Sequence, residues 1–323
     1  MKLRTKIFIP VFVLIAVVTV SLLLGANYIL AEFTSPVVPE YSRDSQYYIF
    51  QQTQSEAPAD ELSQCYSWLK ENSKVFSILS FDNIYLNGYF AAAENESHNY
   101  GIFFHGYKSE PREMSFLAKN FHEKNFNVLV PGLRGHGWSD GKCMDMGFYS
   151  KNDVLSWCSF LTERDSNAKI FLFGVSMGAA GIICAGSELP ENVVCVIADS
   201  CYTSAWNQFV FKMKSEYNLG PFPVLTVASK FSKNKFGFEF SEASPLTDIA
   251  FLKVPVLFIH SKNNSRVPFE MLDELYFATK CKKKKLELED EPGEKISGES
   301  FKTYMKTINS FTDSFFNEQE SSK

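Results

Sequence analysis

One passage of the chain reads Phe171-Leu172-Phe173-Gly174-Val175-Ser176-Met177-Gly178-Ala179-Ala180-Gly181. An apolar, β-rich run leads into a serine flanked at both second neighbours by glycine, and small residues open the run that follows. A lone Gly-x-Ser-x-Gly arises by chance. Here it joins a buried-type strand to a helix, and that context gives the pattern its meaning. The glycines allow a sharp, strained turn that lifts the Ser176 hydroxyl above a sheet. Ala179, Ala180 and Gly181 let the helix pack close to its neighbours.

Working outward from Ser176, short apolar runs alternate with longer amphipathic ones. The strand-like runs are 76–79, 84–90, 101–104, 127–130, 169–173, 193–198 and 254–259, with a last one near 286–288. Helix-like stretches at 112–124, 149–163, 177–188 and 269–280 lie between most of them. Strands alternating with helices predict an α/β fold, a mostly parallel sheet covered on both faces. The first two strands lie close together and read as an antiparallel hairpin joined to that sheet. Residues 204–247 break the alternation. They hold seven phenylalanines, Phe209 to Phe240, and Lys212, Lys214, Lys230, Lys233 and Lys235. An insertion of that length over the sheet edge predicts a cap with a pocket beneath it, its aromatics mostly packing the cap onto the core.

Two further loops fall at the same edge. Ile102-Phe103-Phe104-His105-Gly106-Tyr107 ends an earlier strand. In a strand–turn–helix site of this kind that turn supplies one backbone N–H of an oxyanion hole, near Tyr107, and Met177 supplies the other. The glycine-rich loop from Pro131 to Gly141 reads as scaffold.

The chain has 323 residues and a formal net charge of −5. That mild, mixed charge carries no nucleic-acid footprint. The Lys282–Lys285 run reads as a solvated strand edge or turn. Seven scattered cysteines include no Cys-x-x-Cys pair, which argues against zinc and for buried thiols, with a disulfide left open. At the N-terminus, Lys2, Arg4 and Lys6 precede an uncharged, predominantly apolar stretch of 18 residues, 7–24, long enough to span a bilayer core. The basic flank predicts a cytoplasmic N-terminus and an exported remainder. A cleaved signal peptide is the alternative, though no good small-residue cleavage site follows. The expected organisation is therefore a single-pass anchor at 1–31, a juxtamembrane linker and helix at 32–75, and a catalytic-type domain at 76–323.

The order His-Gly-Tyr, Arg134-Gly135-His136-Gly137-x-Ser139-x-Gly141, Gly-x-Ser-Met-Gly, Ala198-Asp199-Ser200 and Pro255-Val256-Leu257-Phe258-Ile259-His260 resembles the α/β-hydrolase superfamily. It is most similar to the bacterial membrane-anchored or secreted branch related to serine aminopeptidases and monoacylglycerol-lipase-like esterases. The resemblance spans roughly 68–315. It implies an eight-stranded sheet, a Ser-acid-His triad and no metal or organic cofactor.

The chain departs from that family at two triad positions. Family members carry the acid in a His-Gly-x-x-Asp-x-x-Val-Pro run, and here His260-Ser261-Lys262-Asn263-Asn264-Ser265-Arg266-Val267-Pro268 puts Asn264 at the acid position. The family's catalytic histidine follows the last strand. The five histidines here end at His260, and Lys295 best matches the vacated position. A serine hydroxyl needs a base, and losing the triad histidine costs on the order of 10⁶ in kcat in related chemistry. The leading expectation is a cell-envelope pseudoenzyme, or a severely slowed hydrolase, that binds a small ester, lipid or peptide-like ligand. One rival is an active hydrolase using Lys295 as base. The acidic neighbours Asp290, Glu291 and Glu294 favour the charged amine and argue against that. His105, His136 or His260 as a relocated base, and Asp199 as a relocated acid, are lesser variants. A second rival is a non-catalytic interaction module.

Overall fold

The computed structural model describes residues 2–37, 59–289 and 298–316. Eight strands form one sheet: β1 (Lys74–Leu79), β2 (Tyr85–Ala91), β3 (Asn99–Phe104), β4 (Asn127–Pro131), β5 (Lys169–Val175), β6 (Val193–Asp199), β7 (Val256–Ser261) and β8 (Lys283–Leu288). Their order is β1-β2-β4-β3-β5-β6-β7-β8. β1 and β2 pair antiparallel, as do β2 and β4, and the pairings from β4 through β8 are parallel. This is the mostly parallel α/β sheet that the alternation predicts, in the eight-stranded α/β-hydrolase form that the resemblance implies.

The helices are α1 (Lys2–Thr34), α2 (Ala59–Asn72), α3 (Ser115–His122), α4 (Ser150–Thr162), α5 (Met177–Ala185), α6 (Ala205–Tyr217), α7 (Val224–Phe236), α8 (Glu270–Ala278) and α9 (Gly298–Phe316). Two apolar clusters cover the two faces of the sheet. Ile102, Leu129, Leu172 and Val196 point to one face, and Phe103, Val128, Phe171 and Ile197 to the other. The alternation of strand side chains thus feeds both layers, as a sheet buried on both faces requires.

β5 sits near the middle of the sheet and is almost wholly buried, so the serine at its end stands over the core. The Lys282–Lys285 run falls on edge strand β8 rather than in a turn. Lys283 Nζ donates to Tyr276 O at 2.7 Å and Thr279 O at 2.8 Å, filling the carbonyl end of α8. All seven cysteines are free thiols, six of them buried.

The N-terminal helix divides into two parts. From Val11 to Leu24 its large apolar side chains are 43–74% exposed, apart from the half-buried Leu22. Beyond that, Ala26, Ile29, Leu30 and Phe33 are buried in the same core cluster as the sheet. The helix continues to Thr34, three residues past the expected boundary, and the chain then bridges from Val37 to His136. The expected linker falls mostly at 38–58, outside the described residues.

Candidate active site

Ser176 occupies the turn between β5 and α5 with φ 50° and ψ −107°, a conformation non-glycine residues seldom adopt. The turn is held on both sides. Ser176 N–H donates to Asp199 O at 2.8 Å, and Ala180 N–H donates to Ser176 O at 2.9 Å. Both glycines are sterically required. A Cβ on Gly174 would meet Ala179 N at 2.5 Å, and one on Gly178 would meet Phe104 O at 2.5 Å and His105 O at 2.6 Å. The second contact brings the β3 turn against the start of α5, so the residues expected to carry the two oxyanion N–H groups, Tyr107 and Met177, flank the serine from two different elements.

A cavity of about 80 Å³ lies over Ser176, walled by Tyr107, Met146, Phe209, Lys212, Arg266 and Val267 among others. Helix α6, from the insertion, forms its outer side through Gln208, Phe209, Phe211, Lys212, Ser215 and Glu216. Ser204 caps α6 by accepting from Asn207 N–H at 3.0 Å. Phe209, Phe238 and Phe240 are buried, as the packing expectation for the aromatics holds.

Asn264 lies beside this cavity, three residues before the lining Val267. Its Oδ1 accepts from the backbone N–H groups of Arg266 at 2.9 Å and Val267 at 3.0 Å. Its Nδ2 donates to Ser200 Oγ at 3.2 Å. Ser200 Oγ donates in turn to Asp199 Oδ1 at 2.9 Å, and Tyr304 O–H donates to Asp199 Oδ2 at 2.9 Å. Burial pushes the Asp199 carboxyl up to about 7, against the two hydroxyl donors, which favour the anion. Asp199 is thus a fully engaged strand-end residue. Lys295 lies outside the described residues.

Among the described residues, every histidine is committed away from Ser176. His105 bonds Gly106 O and accepts from Leu133 N–H, both at 3.0 Å. His136 bonds Arg134 O at 3.0 Å and accepts from Lys108 N–H at 3.2 Å. His260 bonds Val267 O at 2.9 Å, His122 bonds Ala92 O at 2.8 Å, and His98 pairs with Asp165 at 2.7 Å. Burial drives His105 well below the usual range and His136 down to about 4. Both rings are neutral parts of the loop scaffold.

Two contributors escaped sequence reasoning. The end of α1 belongs to the site's support: Tyr107 O–H donates to Phe33 O at 3.1 Å, and Lys108 Nζ pairs with Glu32 at 2.9 Å. Lys212 lines the cavity, 3.4 Å from Glu216, and burial lowers its pKa. An apolar helix next to a predicted membrane gives no sign that its far end packs on protein. One lysine among five in the insertion gives none either.

The sheet order and the strained serine elbow together define an α/β-hydrolase fold. The family model for serine aminopeptidases, S33, matches residues 96–234, from before β3 into α7. The uncharacterized protein YqkD of Bacillus subtilis is 31% identical over 195 residues, covering 60% of this chain and 64% of that protein. Protein ABHD12B of Homo sapiens is 25% identical over 195 residues, covering 58% and 52%. The chain therefore spans less than two thirds of the length of either relative. Among solved structures, the Pyrococcus furiosus esterase Pf2001 superposes with a TM-score of 0.59 at 22% identity, over 78% of this chain and 92% of that one. An acylaminoacyl peptidase of Pyrococcus horikoshii gives 0.55 at 16%, over 75% and 41%. At those identities the likeness is one of fold.

Proposed function

We propose that this chain is a membrane-anchored α/β-hydrolase-fold protein of the cell envelope with impaired hydrolase chemistry. It binds an acyl, ester or peptide-like ligand in the cavity over Ser176. The observation that carries this reading is the commitment of all five histidines to other partners, with none hydrogen-bonded to the nucleophile. Asn264 supports it. Its one oxygen is taken by two backbone amides, and its amide nitrogen faces Ser200, so the acid position carries no negative charge. What remains is an elbow, two candidate oxyanion donors and a capped cavity, an arrangement that leaves roughly 10³–10⁴ over water in serine proteases stripped of their triad.

The membrane part of the reading rests on the apolar segment Pro10–Thr34, with mean hydropathy 2.3. Burial of Ala26, Ile29, Leu30 and Phe33 in the domain core favours an uncleaved anchor over a signal peptide, because cleavage would strip a core face. The basic residues at positions 2, 4 and 6 support a domain on the far side of the membrane from the cytoplasm.

The test compares the full-length chain with Ser176→Ala on a series of p-nitrophenyl acyl esters. The reading predicts turnover indistinguishable between the two while both bind the longer esters as inhibitors. Ser176-dependent turnover at ordinary enzyme rates overturns it. A second reading, an active hydrolase with an amine base, has one observation in its favour: Lys212 shares the cavity with Ser176, and burial lowers its pKa. Under that reading Lys212→Met abolishes whatever turnover Ser176→Ala abolishes.

A further inference from the structure

Helices α6 and α7 run alongside the end of α1, and the contacts climb the helix in order. Phe33 meets Phe209 of α6. One turn and a half earlier, Tyr28 shares a side-chain hydrogen bond with Tyr217, the last residue of α6. A Cβ on Gly25 would lie 4.0 Å from Val224, the first residue of α7. The turn joining the two helices, Asn218-Leu219-Gly220-Pro221-Phe222-Pro223, is therefore carried up to the level where α1 leaves the protein core and exposes its apolar surface. Phe222 is 81% exposed and Leu219 48% exposed. No charged residue occurs from 217 to 229, while lysines flank the stretch at 212, 214 and 230.

An apolar, uncharged turn with two exposed large side chains is costly to present to water and suits the interfacial layer of a bilayer. Resting on the anchor reading above, we infer that this turn inserts into the interfacial layer of the bilayer beside α1. It forms a second membrane contact that holds the cavity against the lipid surface. Helix α6 carries both the turn and the cavity-lining Phe211, Lys212, Ser215 and Glu216. The ligand class that follows is an acyl amphiphile already resident in the membrane, reaching Ser176 without crossing bulk water.

The experiment uses the full chain reconstituted in phosphatidylcholine vesicles with brominated acyl chains. Phe222→Trp, Leu24→Trp and Phe277→Trp are each read against the parent to remove the four native tryptophans. All three positions are exposed, so the substitutions leave the core intact. The emission added at 222 is expected to fall by about half relative to unbrominated lipid, as for a side chain ~5–10 Å into the headgroup–acyl boundary, with 24 also quenched and 277 unchanged. Unquenched emission at 222 overturns the inference. With 24 quenched, the anchor survives and only the turn fails; with 24 unquenched, the anchor reading fails as well. Equal quenching at 222 and 277 also overturns it, because the signal then carries no depth.

Discussion

Phe33, in the last turn of the N-terminal helix, stacks on Phe209 of α6 with ring centroids 4.7 Å apart and planes at 29°. The two rings are 0% and 1% exposed. The helix is thus part of the wall behind the cavity as well as a candidate anchor. Truncating such a ring removes its transfer energy and leaves a hole. Phe33→Ala is expected to lower the stability of the domain by about 3–5 kcal/mol, measured by denaturant titration in detergent, with Phe33→Leu much milder. An unchanged midpoint for Phe33→Ala contradicts the docking.

Arg134 joins the glycine loop to α4. Its Nε donates to Asp153 Oδ2 and its Nη2 to Asp153 Oδ1, both at 2.6 Å, while Nη1 donates to Asp82 at 2.9 Å. Asp153 is almost fully buried, so removing its partner strands a charge. Arg134→Met is expected to cost about 3–5 kcal/mol, and Arg134→Lys part of that, because an ammonium keeps the charge and loses the fork. Thermal unfolding of the two variants beside the parent checks the order.

Asp199 predicts a pH signature. Burial raises its carboxyl from 3.8 to about 7 in the folded state. Between those values the folded chain holds a proton that the unfolded chain has released, so stability falls as pH rises through the window. The contribution is fully present below the unfolded value and is lost by the time pH passes about 7. The size is about 4 kcal/mol at most, from a shift of roughly three units at ~1.4 kcal/mol each. Glu113, buried and also raised to about 7, acts in the same sense. The difference between the parent and Asp199→Asn isolates one group: the variant should show a flatter profile from pH 4 to 7. A parallel profile contradicts the assignment.

The register argument for the missing triad is tested by Asn264→Asp with Lys295→His. Aspartate at 264 keeps both backbone acceptor bonds, and Ser200 Oγ can turn to donate to it, so the exchange fits the observed contacts. The double variant is expected to gain esterase activity that Ser176→Ala removes. Either single variant should gain far less, since triad members act as a unit. Absence of any gain contradicts the placement of both residues.

Much of this was legible from residue order. β5 and the elbow were readable because a buried strand, two obligatory glycines and a small-residue helix leave few alternatives. All eight strands were recoverable because their apolar runs are bounded by turn residues. The lysines of β8 hid that strand's first half, since an edge strand tolerates charge that a central one does not. The docking of α1 was hidden for a different reason. Lipid and protein core demand the same apolar residues, and nothing in the periodicity of 7–31 says which of them covers Ile29, Leu30 or Phe33. Asn264 was found through the Val267-Pro268 that follows it, and its contacts with 266 and 267 show why that spacing matters: the side chain closes its own turn. Lys212 had no local pattern, because its place beside the serine comes from the fold of the 35 residues between them.

The most direct test of the central claim is covalent. A fluorophosphonate probe reports whether anything activates the Ser176 hydroxyl, independent of substrate choice. Full-length protein in vesicles at neutral pH is predicted to label at the level of Ser176→Ala, with Asn264→Asp/Lys295→His labelling well above both. Strong labelling of the parent that Ser176→Ala abolishes contradicts the account and identifies a working serine hydrolase.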